Sequence, residues 1–142
     1  DSSTRTYEWL MQLDDGVGEQ SKSGNDIILQ NGGPRLLVRS LQTNGSQGFS
    51  IETKRIERWT DKGPHANIGN HRRLNLKARA AAPDYKVLLF PHTAGQALPQ
   101  TALTGNTLTV TIGGTTDTFT FGSSGGRTTV TMRRNGSTVL SI

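Results

Sequence analysis

The pattern with the clearest chemical meaning is a row of polar side chains at alternate positions of one predicted strand. Its members are Arg73, Asn75, Lys77 and Arg79, and they alternate with the apolar residues Leu74, Leu76, Ala78 and Ala80. Side chains two residues apart on a strand project to the same face at a spacing of about 6.6–7 Å, on the order of a sugar repeat. Guanidinium groups pair with carboxylates or sulfates in bidentate fashion, and lysine adds a point charge. The row therefore predicts a face that binds an acidic polymer.

A segment without any period precedes this strand. Residues 60–71 show neither helical nor strand alternation, so they predict a long loop of functional size. The residues that we expect to contribute to binding from this side are Arg58, Trp59, Lys62, His65, His71 and Arg72. Trp59 is a candidate platform for a sugar face, and the alternative is a packing role at the edge of the core.

The basic residues are concentrated in one part of the chain. The 142 residues carry a formal charge of +5, but residues 54–79 hold eight basic and two acidic side chains, a net charge of +6. Residues 1–53 carry −3 and residues 80–142 carry +2. A local cationic surface attracts anionic partners. The alternative is a solvated strand face whose charges serve solubility.

Catalytic chemistry would have to come from a few scattered residues. They are His65, His71, His92, Tyr7 and Tyr85, and a Tyr/His pair could transfer the protons of a β-elimination. The sequence has no nucleophile elbow, no metal-binding motif and no paired-carboxylate spacing. We therefore predict that the domain is not an enzyme and has no catalytic residue.

Metal binding has weak support in the sequence. The absence of cysteine excludes disulfides and Cys-ligated metal sites, and His65 and His71 do not have a recognised zinc spacing. Asp14, Asp15 and Glu19 offer clustered oxygens for a structural calcium ion, but Asp-Asp-Gly is also ordinary turn chemistry and the EF-hand spacing is missing. We expect no cofactor.

Two other kinds of partner fit less well. Unpaired bases stack on aromatic side chains, and the predicted strand at residues 72–80 has none. No helix is predicted for reading a DNA major groove or for lying on a membrane surface. No apolar run approaches the ~20 residues of a membrane-spanning helix. We expect neither nucleic acid nor membrane as a partner.

The elements that must position the basic row are strands. Period-2 alternation recurs between turns rich in Gly, Asn, Asp and Pro, and Asn135-Gly136 is a strong hairpin signal. We count about ten short strands, without an internal repeat or a linker. This pattern predicts an all-β protein, a single antiparallel β-sandwich domain over residues 1–142.

Four segments together resemble the C-terminal all-β region of heparinase II/III-like polysaccharide lyases. They are Tyr7 to Leu13, Gly33 to Leu41, Arg72 to Leu76, and Tyr85 to Pro91 with Gly95 and Leu98-Pro99 following. The resemblance covers roughly residues 5–100 and implies a β-sandwich that follows a catalytic region in a secreted or periplasmic bacterial enzyme. No segment matches the family's catalytic Asn, His and Tyr, and the helical toroid of such lyases is absent.

These observations lead to one predicted function and two alternatives. We expect a non-catalytic module of a polysaccharide lyase that binds a glycosaminoglycan or alginate type of polymer, with the catalytic domain of the parent lyase as a second partner. The chain begins at Asp1 without an initiator Met, which we interpret as a mature product or an excised domain. One alternative is a structural β domain that buttresses the catalytic region, and the other is a small self-contained lyase.

Overall fold

The structure is a computed structural model that describes residues 3–41, 45–60, 63–82 and 84–142, without the side chains of residues 55–60 and 63–70. The described residues form twelve β-strands and no helix, so none of them forms a helix that could cross a membrane. The chain divides into two compact units, Asp1–Ala94 and Gly95–Ile142. The prediction of one domain over residues 1–142 stays a prediction beside these units.

The first unit contains seven strands in two antiparallel sheets. One sheet has the order β1-β6-β5 and the other has the order β2-β3-β4-β7. The strands are β1 (Arg5–Leu13), β2 (Gly18–Ser23), β3 (Asp26–Gln30), β4 (Arg35–Ser40), β5 (Ser46–Thr60), β6 (Gly63–Ala80) and β7 (Val87–His92). Strand β6 is therefore the central strand of its sheet, with β1 on one side and β5 on the other.

Both sheets contribute to one hydrophobic core. Its buried residues are Leu13, Ile27, Leu29, Val38, Phe49, Leu74 and Leu76. The sheet of β6 supplies four of them and the sheet of β3 supplies three, so the core lies between the two sheets. The predicted fold class, an all-β antiparallel protein with sandwich character, is confirmed.

The alternation of β6 is the one expected from the sequence. Leu74, Leu76 and Ala78 are buried, while Arg79 on the opposite face is exposed. The paired strand β1 follows the same rule, since Trp9 and Met11 pack against the core. Because side chains on a strand alternate between two faces, the apolar row fixes the direction of the basic row.

The loop predicted for residues 60–71 is wrong for residues 60 and 63–71, and residues 61–62 lie outside the described residues. Strand β6 begins at Gly63, and its pairing with β5 continues from Ser46↔Ala78 to Thr60↔Gly63 with register shifts near Glu57. The pairing of β1 with β6 ends at Leu13↔Arg72. Beyond that point β5 and β6 form a two-stranded ribbon, and the core residues described on these two strands lie before it. Two strands can pair through their backbones without an apolar row on one face, so a segment without alternation can still form a ribbon.

The second unit is a five-stranded antiparallel meander. Its strands are β8 (Gln100–Thr104), β9 (Thr107–Ile112), β10 (Thr115–Ser124), β11 (Arg127–Arg134) and β12 (Ser137–Ser141). Leu108 and Val110 are buried. The predicted hairpin at Asn135-Gly136 is confirmed, with φ values of 47° and 86° at these two residues, as a type I′ turn requires.

The described residues form twelve strands, two more than the count of about ten from the sequence. Two of the twelve, β2 and β8, are short strands at the edges of their sheets. Strand β2 has the sequence Gly-Glu-Gln-Ser-Lys-Ser, which contains one glycine and five polar residues and no apolar side chain. An edge strand with few core contacts leaves little hydrophobic periodicity to detect.

Gly45 is the glycine whose replacement we expect to be most costly near the basic strand. Its φ is +69°, its carbonyl accepts a hydrogen bond from the Arg79 amide at 2.8 Å, and an added Cβ would collide with the Arg79 carbonyl oxygen. We expect Gly45→Ala to lower the free energy of unfolding by about 1–3 kcal/mol.

The measurement is urea unfolding followed by circular dichroism. Gly33→Ala is the matched control, because a Cβ there meets nothing within 4 Å and its φ is not in the left-handed region. A Gly45→Ala variant as stable as the control would contradict the expectation.

Candidate functional site

The basic residues of the segment 54–79 belong to one β-hairpin. Lys54, Arg55 and Arg58 lie on β5, while Arg72, Arg73, Lys77 and Arg79 lie on the paired strand β6. We call β5 and β6 with their connection, residues 46–80, the basic hairpin. The row of residues 73–79 and the supposed loop are thus two parts of one paired element.

Two acidic residues compensate much of the row's charge. The carboxylate of Glu52 on β5 accepts hydrogen bonds from Arg73 Nη2 at 2.9 Å and from Lys77 Nζ at 3.0 Å. Glu8 on β1 adds weaker ion pairs, at 3.7 Å to Arg73 Nη2 and 3.5 Å to Lys77 Nζ. Arg73 and Lys77 therefore bridge all three strands of the sheet.

These contacts change the protonation equilibria of the network. The hydrogen bond from Lys77, followed by the one from Arg73, lowers the pKa of Glu52 from 4.5 to about 2. The same bond raises the pKa of Lys77 above its ordinary value. Opposite charges within hydrogen-bond distance favour the charged forms of both partners, so Glu52 and Lys77 form an ionised pair at neutral pH.

Asn75 differs from its expected role. Its side chain is 0% exposed, although its position on the strand is that of the basic row. Its Nδ2 donates to Glu52 Oε1 at 3.2 Å, whereas its Oδ1 has no hydrogen-bond partner among the described residues. Asn75 is thus a buried part of the network, and its contribution to ligand binding stays a prediction.

The cations available to a ligand are those at the margins of this network. Arg79 is exposed, and its side chain forms no hydrogen bond or ion pair with another described residue. Lys54 is 48% exposed at its side chain and lies 3.4 Å from Glu52 Oε2. Arg72 is half-buried, and its Nη1 donates to the backbone carbonyl of Val17. His71, on the neighbouring position, is also half-buried.

Four of the predicted site residues lie outside the described side chains. Arg58, Trp59 and His65 have described backbone on β5 and β6, with Arg58 paired to His65. Lys62 lies outside the described residues. Their contribution to binding stays a prediction.

The other residues considered for chemistry have structural contacts. The hydroxyl of Tyr85 donates to the carbonyl of Tyr7 at 2.8 Å, and burial raises its pKa. His92 is buried, with Nδ1 3.0 Å from the Thr93 carbonyl. Asp14 Oδ1 accepts a hydrogen bond from the amide of Asp15, as in an ordinary turn. In the part of the chain that is described, no three His, Asp or Glu side chains are grouped closely enough to hold a metal ion.

Glu8 and Glu52 are the site residues that sequence reasoning missed. Their pattern did contain a signal, because both stand on the outward-facing positions of strands with apolar neighbours on the inward face. What the sequence did not supply was the register, Glu8↔Lys77 and Glu52↔Arg73, which puts each acid directly opposite a base.

Comparisons with known proteins identify no relative. No family model matches the chain, and no curated protein or solved structure is similar to it.

Replacement of Glu52 should change how stability depends on pH. A carboxyl group whose pKa is lower in the folded than in the unfolded state stabilises the fold at pH values above its unfolded-state pKa. This contribution is lost as the pH falls through the folded-state pKa. For Glu52 the interval runs from about pH 4.5 down to about pH 2. We expect Glu52→Gln to remove a part of the slope of the free energy of unfolding in this interval.

The measurement is urea unfolding at a series of pH values between 2 and 7. The matched control is Glu19→Gln, which removes an exposed carboxylate on β2 that has no hydrogen bond to a described residue. Equal slopes in wild type and Glu52→Gln would show that the ion pairs around Glu52 do not form in solution.

Proposed function

We propose that this chain is a non-catalytic module that binds acidic polysaccharide, of the glycosaminoglycan or alginate type, through the basic hairpin. The observation that carries the proposal is the placement of the charge. Eight of the sixteen basic residues lie within residues 54–79, and these residues belong to two paired strands and their connection. The basic hairpin, residues 46–80, carries a net charge of +5 with Glu52 included, and this charge attracts anions over about one Debye length.

The contacts of the row suggest how its members divide their roles. Arg73 and Lys77 form ion pairs with Glu8 and Glu52, so their positive charge is largely compensated within the sheet. Arg79 and Lys54, which are more exposed, are the described cations that we assign to the polymer. Arg58, Lys62, His65, His71 and Arg72 are the further candidates along the hairpin, with Trp59 as the candidate platform for a sugar ring.

An acidic polysaccharide is favoured over nucleic acid by the aromatic residues. The strand that carries the basic row has no aromatic residue at positions 72–80, and Phe49 on the paired strand is buried in the core. A protein that binds unpaired bases offers exposed aromatic faces for stacking. Sulfate and carboxylate groups need guanidinium and ammonium partners, which the hairpin supplies.

The link to a lyase rests on the resemblance of the four sequence segments. It supports a place for the module beside a catalytic domain in a secreted or periplasmic bacterial enzyme. Within this chain, the Tyr7 carbonyl and the Tyr85 hydroxyl bind each other and His92 is buried, which does not favour the third possibility, a self-contained lyase.

The second possibility, a structural domain that buttresses a catalytic region, is favoured by the ion-pair network itself. Glu52 is in contact with Arg73, Lys77 and Lys54, and this arrangement ties β5 to β6 without any ligand. On that proposal the charges stabilise the sheet, and the exposed cations contact a neighbouring domain.

Removal of the exposed cations tests binding directly. We expect wild-type protein to be retained on immobilised heparin or alginate, to elute with added salt, and to pass through a column of neutral glucan. The double variant Lys54→Ala/Arg79→Ala should bind about 2- to 30-fold more weakly, since each exposed ion pair contributes ~0.2–1 kcal/mol.

The control removes two exposed cations elsewhere. Arg127→Ala/Arg133→Ala takes the same charge from the second unit and should elute close to wild type. Equal loss in the two double variants would mean that only net charge matters, and equal retention on duplex DNA would move the proposal to nucleic acid. Equal retention on neutral glucan would also contradict it.

Glu52→Gln distinguishes the binding module from the purely structural domain. The neutral amide releases Arg73 and Lys77 from their main carboxylate partner and adds one unit of positive charge to the hairpin. We therefore expect this variant to elute from heparin at higher salt than wild type while its stability falls. A loss of stability without any change in elution would favour the structural domain.

A further inference from the structure

One edge of the sheet in the second unit is both apolar and exposed. Among the described residues six large hydrophobic side chains are exposed, and three of them are Val139, Leu140 and Ile142. All five residues of β12 are exposed. This strand is bonded to β11 along one edge, and its other edge faces no described strand. Exposed apolar side chains therefore lie beside backbone groups that have no partner strand.

The hydrogen bonds of Ile142 show which of these backbone groups point away from the sheet. The Val130 amide donates to the Ile142 carbonyl at 2.9 Å, and the Ile142 amide donates to the Val130 carbonyl at 3.0 Å. In an antiparallel pair, such doubly bonded positions alternate with positions whose N–H and C=O point to the opposite side. Ser141, which is paired with Thr131, is a position of the second kind. Its amide and its carbonyl therefore face the open edge.

The side chains on either side of Ser141 belong to the apolar face of the sheet. Leu140 lies opposite Met132, and Ile142 is bonded to Val130 two residues away from Met132 on β11. Residues that lie directly opposite each other project to the same face, and so do residues two apart on one strand. Leu140 and Ile142 thus extend one apolar surface to the edge.

The other edge strands have features that disfavour pairing with a further strand. Soluble proteins protect such edges with charged side chains, prolines or bulges. Strands β1, β2 and β5 contain charged residues, β7 contains Pro91, and β8 has no exposed large hydrophobic side chain. Strand β12 contains neither a charge nor a proline. A register shift between Met132 and Arg133 interrupts its pairing with β11, but residues 140–142 lie beyond this shift.

We propose that β12 is an interface to a second copy of this chain, which pairs with it edge to edge in antiparallel orientation. About a twofold axis at Ser141, the two serines exchange both main-chain hydrogen bonds, and Leu140 of each copy lies opposite Ile142 of the other. The contact is self-complementary, as a twofold interface requires. It also brings no charged side chains opposite each other, and like charges at such positions would oppose pairing.

The interface is small, so the dimer is weak. Residues 140–142 of each copy form it, and they bury far less than the ~800 Å² per partner of a standard stable complex. We expect a monomer at low micromolar concentration and a half-populated dimer between about 0.1 and 1 mM.

Sedimentation equilibrium between about 10 μM and 2 mM measures this association, and hydrogen exchange of the Ser141 amide locates it. We expect association that stops at a dimer, and exchange at Ser141 that becomes slower as the concentration rises. Ser141→Pro removes the amide hydrogen at the open edge without removing a bond to β11, so it should weaken the dimer by about 10-fold or more. Ser141→Ala is the matched control, because it keeps the amide hydrogen and should dimerise like wild type.

A second pair of variants tests the apolar contact. Leu140→Lys puts a charge opposite Ile142 of the second copy and should abolish the dimer. Leu10→Lys makes the same replacement on β1 at a residue of similar exposure, 46% against 45%, and should leave the dimer intact.

Three results would overturn the proposal. The first is a chain that stays monomeric at the highest concentration or grows into oligomers larger than a dimer. The second is a dimer that survives Ser141→Pro but not Leu140→Lys, which would place the contact on the apolar face instead of the edge. The third needs no variant: exchange of the Ser141 amide that does not depend on concentration.

Discussion

The pleat of β6 is the constraint on which the described site depends. Leu74 and Leu76 must face the core between the two sheets, and the alternation of the strand then directs Arg73 and Lys77 to the other side. Since β6 is the central strand, these cations lie between two neighbouring strands that each supply an acid. The hydrophobic core thus determines where the charges are, and Glu8 and Glu52 determine how many of them remain available.

This charge compensation explains why a cluster of basic residues is not the same as a cationic surface. Arg73 and Lys77 are attractive candidates by sequence, yet in the folded sheet they stabilise the carboxylate of Glu52 and lower its pKa. Exposed ion pairs contribute little each, but a network that shares one carboxylate fixes long side chains in place. A polymer that binds here competes with Glu52 for these two residues, whereas Arg79 meets no such competition.

The sequence predicts the parts of this structure that depend on local patterns. The alternation of β1 and β6, the type I′ hairpin at Asn135-Gly136 and the all-β antiparallel class follow from side-chain periodicity and turn chemistry. Strand β2 is not predictable in this way, since five of its six residues are exposed and it shows no apolar alternation. The ribbon formed by β5 and β6 has no alternation that would distinguish it from a loop, because two strands can pair through their backbones without an apolar row.

The candidate site was predictable by residue type but not by contact. The basic row is visible in the sequence, while its pairing with Glu8 and Glu52 and the burial of Asn75 depend on which residues lie opposite each other. Strand register depends on contacts between parts of the chain that are distant in sequence, and local sequence patterns do not determine it.

The buried amide of Asn75 has a consequence for how the chain folds. A slip of β5 against β6 by two residues would keep every apolar side chain on the core face, so the hydrophobic pattern alone tolerates it. In the direction that places Glu52 opposite His71 instead of Arg73, the slip would move the carboxylate away from the desolvated amide of Asn75. An unpaired buried amide costs free energy. The polar contacts of Asn75 therefore disfavour a misaligned hairpin that the hydrophobic contacts would tolerate.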